Sequence, residues 1–155
     1  MRLILAADHA GYQLLDLLRP LVEETADVVA TIGARSSEDS VDYPDIAASI
    51  AKQIGEGAAD RAIVICGSGI GAVMASNKLA GLYAGLCHDT YSARQGVQHD
   101  NMNVLCLGAR VVGVEVARDV IREFLGATFG TEERHLRRFR KMQELEAIGR
   151  DPARR

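Results

Sequence analysis

The sequence predicts an α/β protein with a parallel sheet covered by helices on both faces, and three observations carry the prediction. Short apolar runs alternate with segments of helical periodicity along the whole chain, the pattern of repeated β-α units. The 155 residues suit one domain with a sizeable core. Apolar residues make up 48% of them, as expected for a soluble globular protein.

Leu3 to Ala7 reads as the first strand. Tyr12 to Glu24 repeats Leu14, Leu15, Leu18 and Val22 at the spacing of an amphipathic helix. Val28 to Ile32 is the second strand, followed by a polar loop through Ser36-Ser37-Glu38-Asp39-Ser40. Pro44 sits in the first turn of a helix running to about Ile54, where a proline is tolerated. The third strand, Ala62 to Ile65 led in by Arg61, ends at Cys66, and Ala72, Ala75 and Leu79 mark the helix after it. Leu82 to Cys87 and Val104 to Leu107 are strands four and five. Asp89-Thr90 and Gly113 precede two further helical patterns, the second with Ala117, Val120, Ile121 and Phe124 on one face. A basic run from Arg134 to Lys141 falls on a C-terminal helix, so residues 1–150 form a single domain and residues 151–155 a flexible tail.

Composition narrows the function classes. A net charge of −3 gives no general reason to expect nucleic acid or an anionic membrane as partner. Cys66, Cys87 and Cys106 form no C-x-x-C pair, and their odd number points to reduced thiols in a cytoplasm rather than to disulfides or a metal site. The apolar run after Arg2 is cut off by Asp8, too short for a signal-peptide core or a membrane span. A cytoplasmic protein is expected.

Cys66-Gly67-Ser68-Gly69-Ile70-Gly71 is the most informative stretch, because it places a thiol where a strand ends and a helix begins. A helix N-terminus offers unpaired N–H donors and partial positive charge, a setting that binds anions and favours thiolate over thiol. Glycine-rich turns also serve simply to turn the chain, and a Cys closing an apolar strand is often core filler. Its glycines do not follow the dinucleotide fingerprint. In a flavodoxin-like strand order, 2-1-3-4-5, the chain reverses between strands one and three. The loops Asp8-His9-Ala10-Gly11 and Cys66 to Gly71 then share one pocket. Arg134 and Arg138, four residues apart, share a helix face where two guanidinium forks can grip a phosphate; from the charge run alone a solvated basic face is the reading to prefer, with a dimer contact as a further one.

These residues, with Asp42-Tyr43-Pro44, Asn77-Lys78, His99-Asp100-Asn101-Met102-Asn103 and Gly108-Ala109-Arg110-Val111-Val112-Gly113, resemble the ribose-5-phosphate isomerase B family, which includes the galactose-6-phosphate isomerase subunits. The resemblance runs from about Met1 to Lys141. It implies a Rossmann-like three-layer α/β/α fold with a five-stranded parallel sheet and a C-terminal helix. It also implies a homodimer or dimer of dimers with shared active sites, no cofactor and no metal, and interconversion of aldose and ketose phosphates.

Moving a carbonyl between C1 and C2 needs a base that takes a proton from C2 and returns it at C1, and donors that stabilise the enediolate between. By resemblance Cys66 is the base, and the amides from Gly67 through Gly69 and Ile70 to Gly71, with the Ser68 hydroxyl, form the anion hole. Some relatives carry a glutamate where this chain has Ala72, so the cysteine version is the one available here. The resemblance assigns ring opening to His99 assisted by Asp8, substrate contacts to His9 and Tyr43, and the phosphate clamp to Arg110, Arg134 and Arg138, partly across the subunit boundary. Cys87 and Cys106 read as core, and His88, His135 and Lys78 as structural.

Three positions depart from the family pattern: Asp100 replaces the usual asparagine, Leu136 a common glutamine and Ser68 a threonine. Asp100 bears on which sugar is used. A nucleotide-binding module, with Asp89 as its only extra support, and a catalytically weak subunit of a heteromeric isomerase are the competing readings.

Overall fold

The computed structural model describes residues 1–150; the expected tail, 151–155, lies outside them. In chain order the elements are β1 (Arg2–Ala7), α1 (Tyr12–Thr25), β2 (Asp27–Gly33), α2 (Tyr43–Gly55), β3 (Arg61–Cys66), α3 (Ile70–Ser76), β4 (Ala84–Leu86), α4 (Thr90–Asp100), β5 (Val104–Gly108), α5 (Val114–Gly126) and α6 (Glu133–Arg150). All five strands are parallel, in the order β2-β1-β3-β5-β4.

Alternation along the strands builds the layers. Leu3, Leu5, Ile63, Ile65, Leu105 and Leu107 point to one face and pack against α1, α4 and α5. Ile4, Ala6, Ala62, Val64, Cys66, Val104 and Cys106 point to the other, against α2 and α3. Cys66 thus belongs to the α2/α3 face. Helix α6 adds to the three layers by packing on α4, with Phe139 edge-on to Tyr83 and Phe129.

The strand order differs from 2-1-3-4-5 by the exchange of the last two strands. Val104–Gly108 is buried throughout, and such a run is stable only with neighbours on both edges and helices on both faces. Ala84–Leu86 is only partly buried and carries little apolar bulk, so it takes the edge. It is also shorter than the expected Leu82 to Cys87. Helix α3 stops at Ser76 rather than reaching Leu79, because the Asn77 side chain bonds both the N–H and the C=O of Ala84, at 2.8 and 2.9 Å. The reversal between β1 and β3 remains, and with it the crevice at their carboxyl ends.

Candidate active site

β1 and β3 end side by side, Ala7 opposite Ile65, so the loops leaving them rise together. Asp8 is buried in the first. Its Oδ1 accepts hydrogen bonds from the N–H of Ala10 and of Gly11, both at 2.9 Å, which shapes the turn into α1 and leaves His9 exposed at the rim. Cys66 ends β3 with only 5% of its surface exposed, and the Gly69 N–H donates to its Sγ at 3.1 Å. That contact requires the left-handed backbone of Gly69, φ +82°, where a side chain would also strike Leu86 and the β5 backbone. The Ser68 Oγ accepts from the Ile70 N–H at 3.3 Å.

The donors open to an anion are therefore fewer than the expected run of amides from Gly67 to Gly71. The Gly69 and Ile70 amides are engaged inside the loop, and Ile70 turns its side chain outward. The amides of Gly67, Ser68 and Gly71 have no acceptor among the described residues. Tyr43, the first residue of α2, lays its ring on Gly71: a Cβ there would lie 2.8 Å from the ring. From the β5–α5 loop, the Ala109 and Arg110 amides bond the Cys66 and Gly67 carbonyls at 2.8 and 3.0 Å. This brings the Arg110 guanidinium over Gly67, with no ion pair among the described residues. A cleft of about 330 Å³ results, lined by Asp8, His9, Tyr43, Cys66, Ser68 and Arg110 together with Ala10 and Val111, which the sequence reading did not single out. Ala72 is packed in the core beneath it.

The other expected residues lie at the opposite end of the sheet. α4 carries the chain back from the carboxyl ends, and just past it the Asn103 carbonyl accepts from the Ala62 N–H at the start of β3. Four residue-to-residue steps lead from Ala62 to Cys66, about 13 Å at about 3.3 Å per step. His99 and Asp100 close α4, and Arg134 and Arg138 lie in the first turns of α6. One chain therefore forms two clusters, the cleft around Cys66 and the group around His99.

In the second cluster the His99 ring stacks on His135, centroids 4.1 Å apart and planes 28° from parallel. The Arg134 guanidinium forks onto Glu132 at 3.0 and 3.1 Å, while Arg138 has no carboxylate partner among the described residues. Asp100 is exposed and borders a separate groove of about 350 Å³ along β4, with Tyr83, Cys87, Met102 and Met142. His135, read from the sequence as structural, is buried against the expected ring-opening residue. The only signal for that was its place beside Arg134.

Cys87, Cys106 and His88 stand in structural settings. Burial pushes the Cys87 thiol up to about 11, with Asp89 adding to it, and burial also pushes Cys106 up. His88 Nε2 accepts from the Gly108 N–H at 3.0 Å and secures β5. Burial above all, then His99, holds the proton affinity of His135 below the usual 6.5; Arg134 and Arg138 act the same way and Glu132 opposes them. The unfolded chain takes up the proton that the folded ring refuses, so this contribution is complete above about pH 6.5 and declines on acidification below it. Thermal melts of wild type and His135→Phe from about pH 7.5 to 5.5 are expected to show the wild type losing more stability. Parallel curves would show that the ring titrates alike in the folded and unfolded chain.

A thiol with an N–H aimed at it, free amides and an unpaired guanidinium around one cleft suit an enzyme that holds an anionic intermediate. The chain belongs to the ribose/galactose isomerase family, whose sequence pattern it matches over residues 3–142. It is similar to D-erythrulose-4-phosphate isomerase 2 of Mycolicibacterium smegmatis, 38% identical over 83% of this chain and 86% of that protein. Ribose-5-phosphate isomerase B of Escherichia coli is 39% identical over 83% and 85%. The structure of type B ribose 5-phosphate isomerase from Trypanosoma cruzi superposes with a TM-score of 0.88 at 37% identity, covering 95% of this chain and 99% of that one. The protein is accordingly an aldose–ketose isomerase acting on sugar phosphates. Among the described residues no helix is long and apolar enough to cross a membrane.

Proposed function

We propose that this isomerase interconverts ribose 5-phosphate and ribulose 5-phosphate through a cis-enediolate, with Cys66 as the base, in a site completed by a second copy of the chain. The observation that carries the reading is the Cys66 thiol at the floor of a cleft whose rim holds the free amides of Gly67, Ser68 and Gly71. The Cys66 thiolate removes the C2 proton of the open-chain aldose, and the electron pair moves to the C1 carbonyl oxygen. The free amides and the Ser68 hydroxyl receive the negative charge. A proton passes from O2 to O1, the C2 carbonyl forms, and the thiol returns its proton to C1. Nothing is gained or lost overall, so the reaction needs no external oxidant or reductant.

The second cluster enters from the partner subunit: His99 opens the sugar ring with Asp8 of the receiving chain, and Arg134 and Arg138 hold the phosphate with Arg110. His9 and Tyr43 contact the sugar. A homodimer, alone or paired into a tetramer, follows from this division, because one chain separates base from ring opener by the depth of the sheet. The enzyme works as a single domain, 1–150, on a small metabolite in the cytoplasm, with no nucleic-acid or membrane partner.

Asp100 favours a second reading, a different sugar of four to six carbons. An ionised carboxylate accepts hydrogen bonds but cannot donate, so it selects a hydroxyl presented as donor and repels a nearby phosphate oxygen. kcat/KM across four-, five- and six-carbon aldose and ketose phosphates tests both readings. On the second reading wild type is modest on ribose 5-phosphate and better on another sugar, and Asp100→Asn shifts preference toward ribose 5-phosphate. Unchanged ratios between sugars would remove Asp100 from specificity and leave an ordinary ribose-5-phosphate isomerase. Turnover of none of these sugars would withdraw the substrate assignment.

A further inference from the structure

We propose that His135 is the positioning residue of His99: its buried ring forms a planar wall that holds the His99 imidazole in the orientation used to open the sugar ring. The proposal rests on the assignment of ring opening to His99 and adds a group to which no role is given above.

The geometry is specific. His99 stands on the last turn of α4 and is half-buried, and the terminal torsion of a histidine is broad, so the backbone alone does not set its ring plane. His135 supplies a face 4.1 Å away, tilted by 28°. His135 itself cannot swing, being 3% exposed. Gly130 closes over it so tightly that a Cβ there would lie 3.1 Å from Nδ1, and the Gly130 N–H bonds the Gln98 carbonyl at 2.8 Å. The wall is thereby tied to the residue next to His99.

The charges around the pair support the same role. His135 Nδ1 is buried without a hydrogen-bond partner, and Glu132 Oε2, 3.4 Å away, spends its bonds on Arg134. Arg134 and Arg138 on α6 and His99 on α4 all disfavour a proton on His135, against Glu132 alone, and burial adds to them. The wall is thereby held toward its neutral, uncharged form.

Three variants and one measurement test the idea. The substrates are ribose 5-phosphate, which must be opened, and D-erythrulose 4-phosphate, which stays open because its C4 oxygen carries the phosphate and would in any case close only a four-membered ring on the C2 carbonyl. His135→Leu, which fills the space without a planar face, is expected to lower kcat on ribose 5-phosphate about 10- to 100-fold, the scale of a misplaced group. KM and turnover of the four-carbon substrate should change little. His135→Phe restores a flat, uncharged wall and should recover most of the lost rate. Equal losses on both substrates, or a Phe variant no better than Leu, overturn the proposal. His99→Asn separates the ring-opening role of His99 from the positioning role of His135. If it slows both substrates alike, the ring-opening assignment fails; if it is selective while the His135 variants are not, only the positioning role fails. Carbon-13 relaxation of the histidine rings in the wild-type enzyme needs no variant to fold: His99 should be as rigid as His135, and fast ring motion at His99 would sink the idea.

Discussion

Cys66→Ala should leave the fold and the binding of sugar phosphate intact and remove nearly all turnover, by on the order of 10²–10⁴-fold or more, the typical worth of a general base. The side chain is small and ends a strand, so its loss empties little core. Position 72 offers no substitute base, since Ala72 is packed in the core beneath the cleft. Exchange of the C2 proton with solvent deuterium should vanish together with isomerisation, because both need the same proton removed. A variant that keeps more than about half of the wild-type rate would take Cys66 out of the mechanism and return it to the core.

The second large effect is a recovery. Cys66→Ala and His99→Asn are each expected to be nearly inactive on ribose 5-phosphate, yet a mixed dimer of the two should work. In a shared site, Cys66 of one copy meets His99 of the other, so each mixed dimer holds one intact site and one doubly altered site. Co-expression with two tags and isolation of the doubly tagged species should yield about half the wild-type turnover per dimer. If each chain held a complete site, both sites in the mixed dimer would carry one lesion and it would be as slow as its parents. That result would also leave His99, Asp100, Arg134 and Arg138 without a route to the substrate, because β3 lies between them and the thiol.

Much of the fold was legible along the chain. Apolar runs and helical faces are local properties, written in the spacing of Leu14, Leu18 and Val22 or of Ala117, Val120 and Phe124, and these residues are buried as that spacing implies. The pocket between the first and third strands was legible too, because the reversal beside β1 survives the exchange of β4 and β5. The order of those two strands was not. Periodicity marks a strand without naming its neighbours, and the choice fell to whichever run could be buried on all sides.

The site divides the same way. The sequence by itself determined the chemistry on offer: a thiol before a glycine turn, a histidine next to an unexpected carboxylate, and arginines one helical turn apart. Only the tertiary structure decided which of these meet. It joined Asp8, Tyr43, Cys66 and Arg110 from four separate loops and strand ends, engaged two of the loop amides internally, and set His99 and His135, 36 positions apart, face to face. Residue identity is carried by the chain, but proximity between distant residues follows from helix packing and strand order, which depend on burial over the whole molecule.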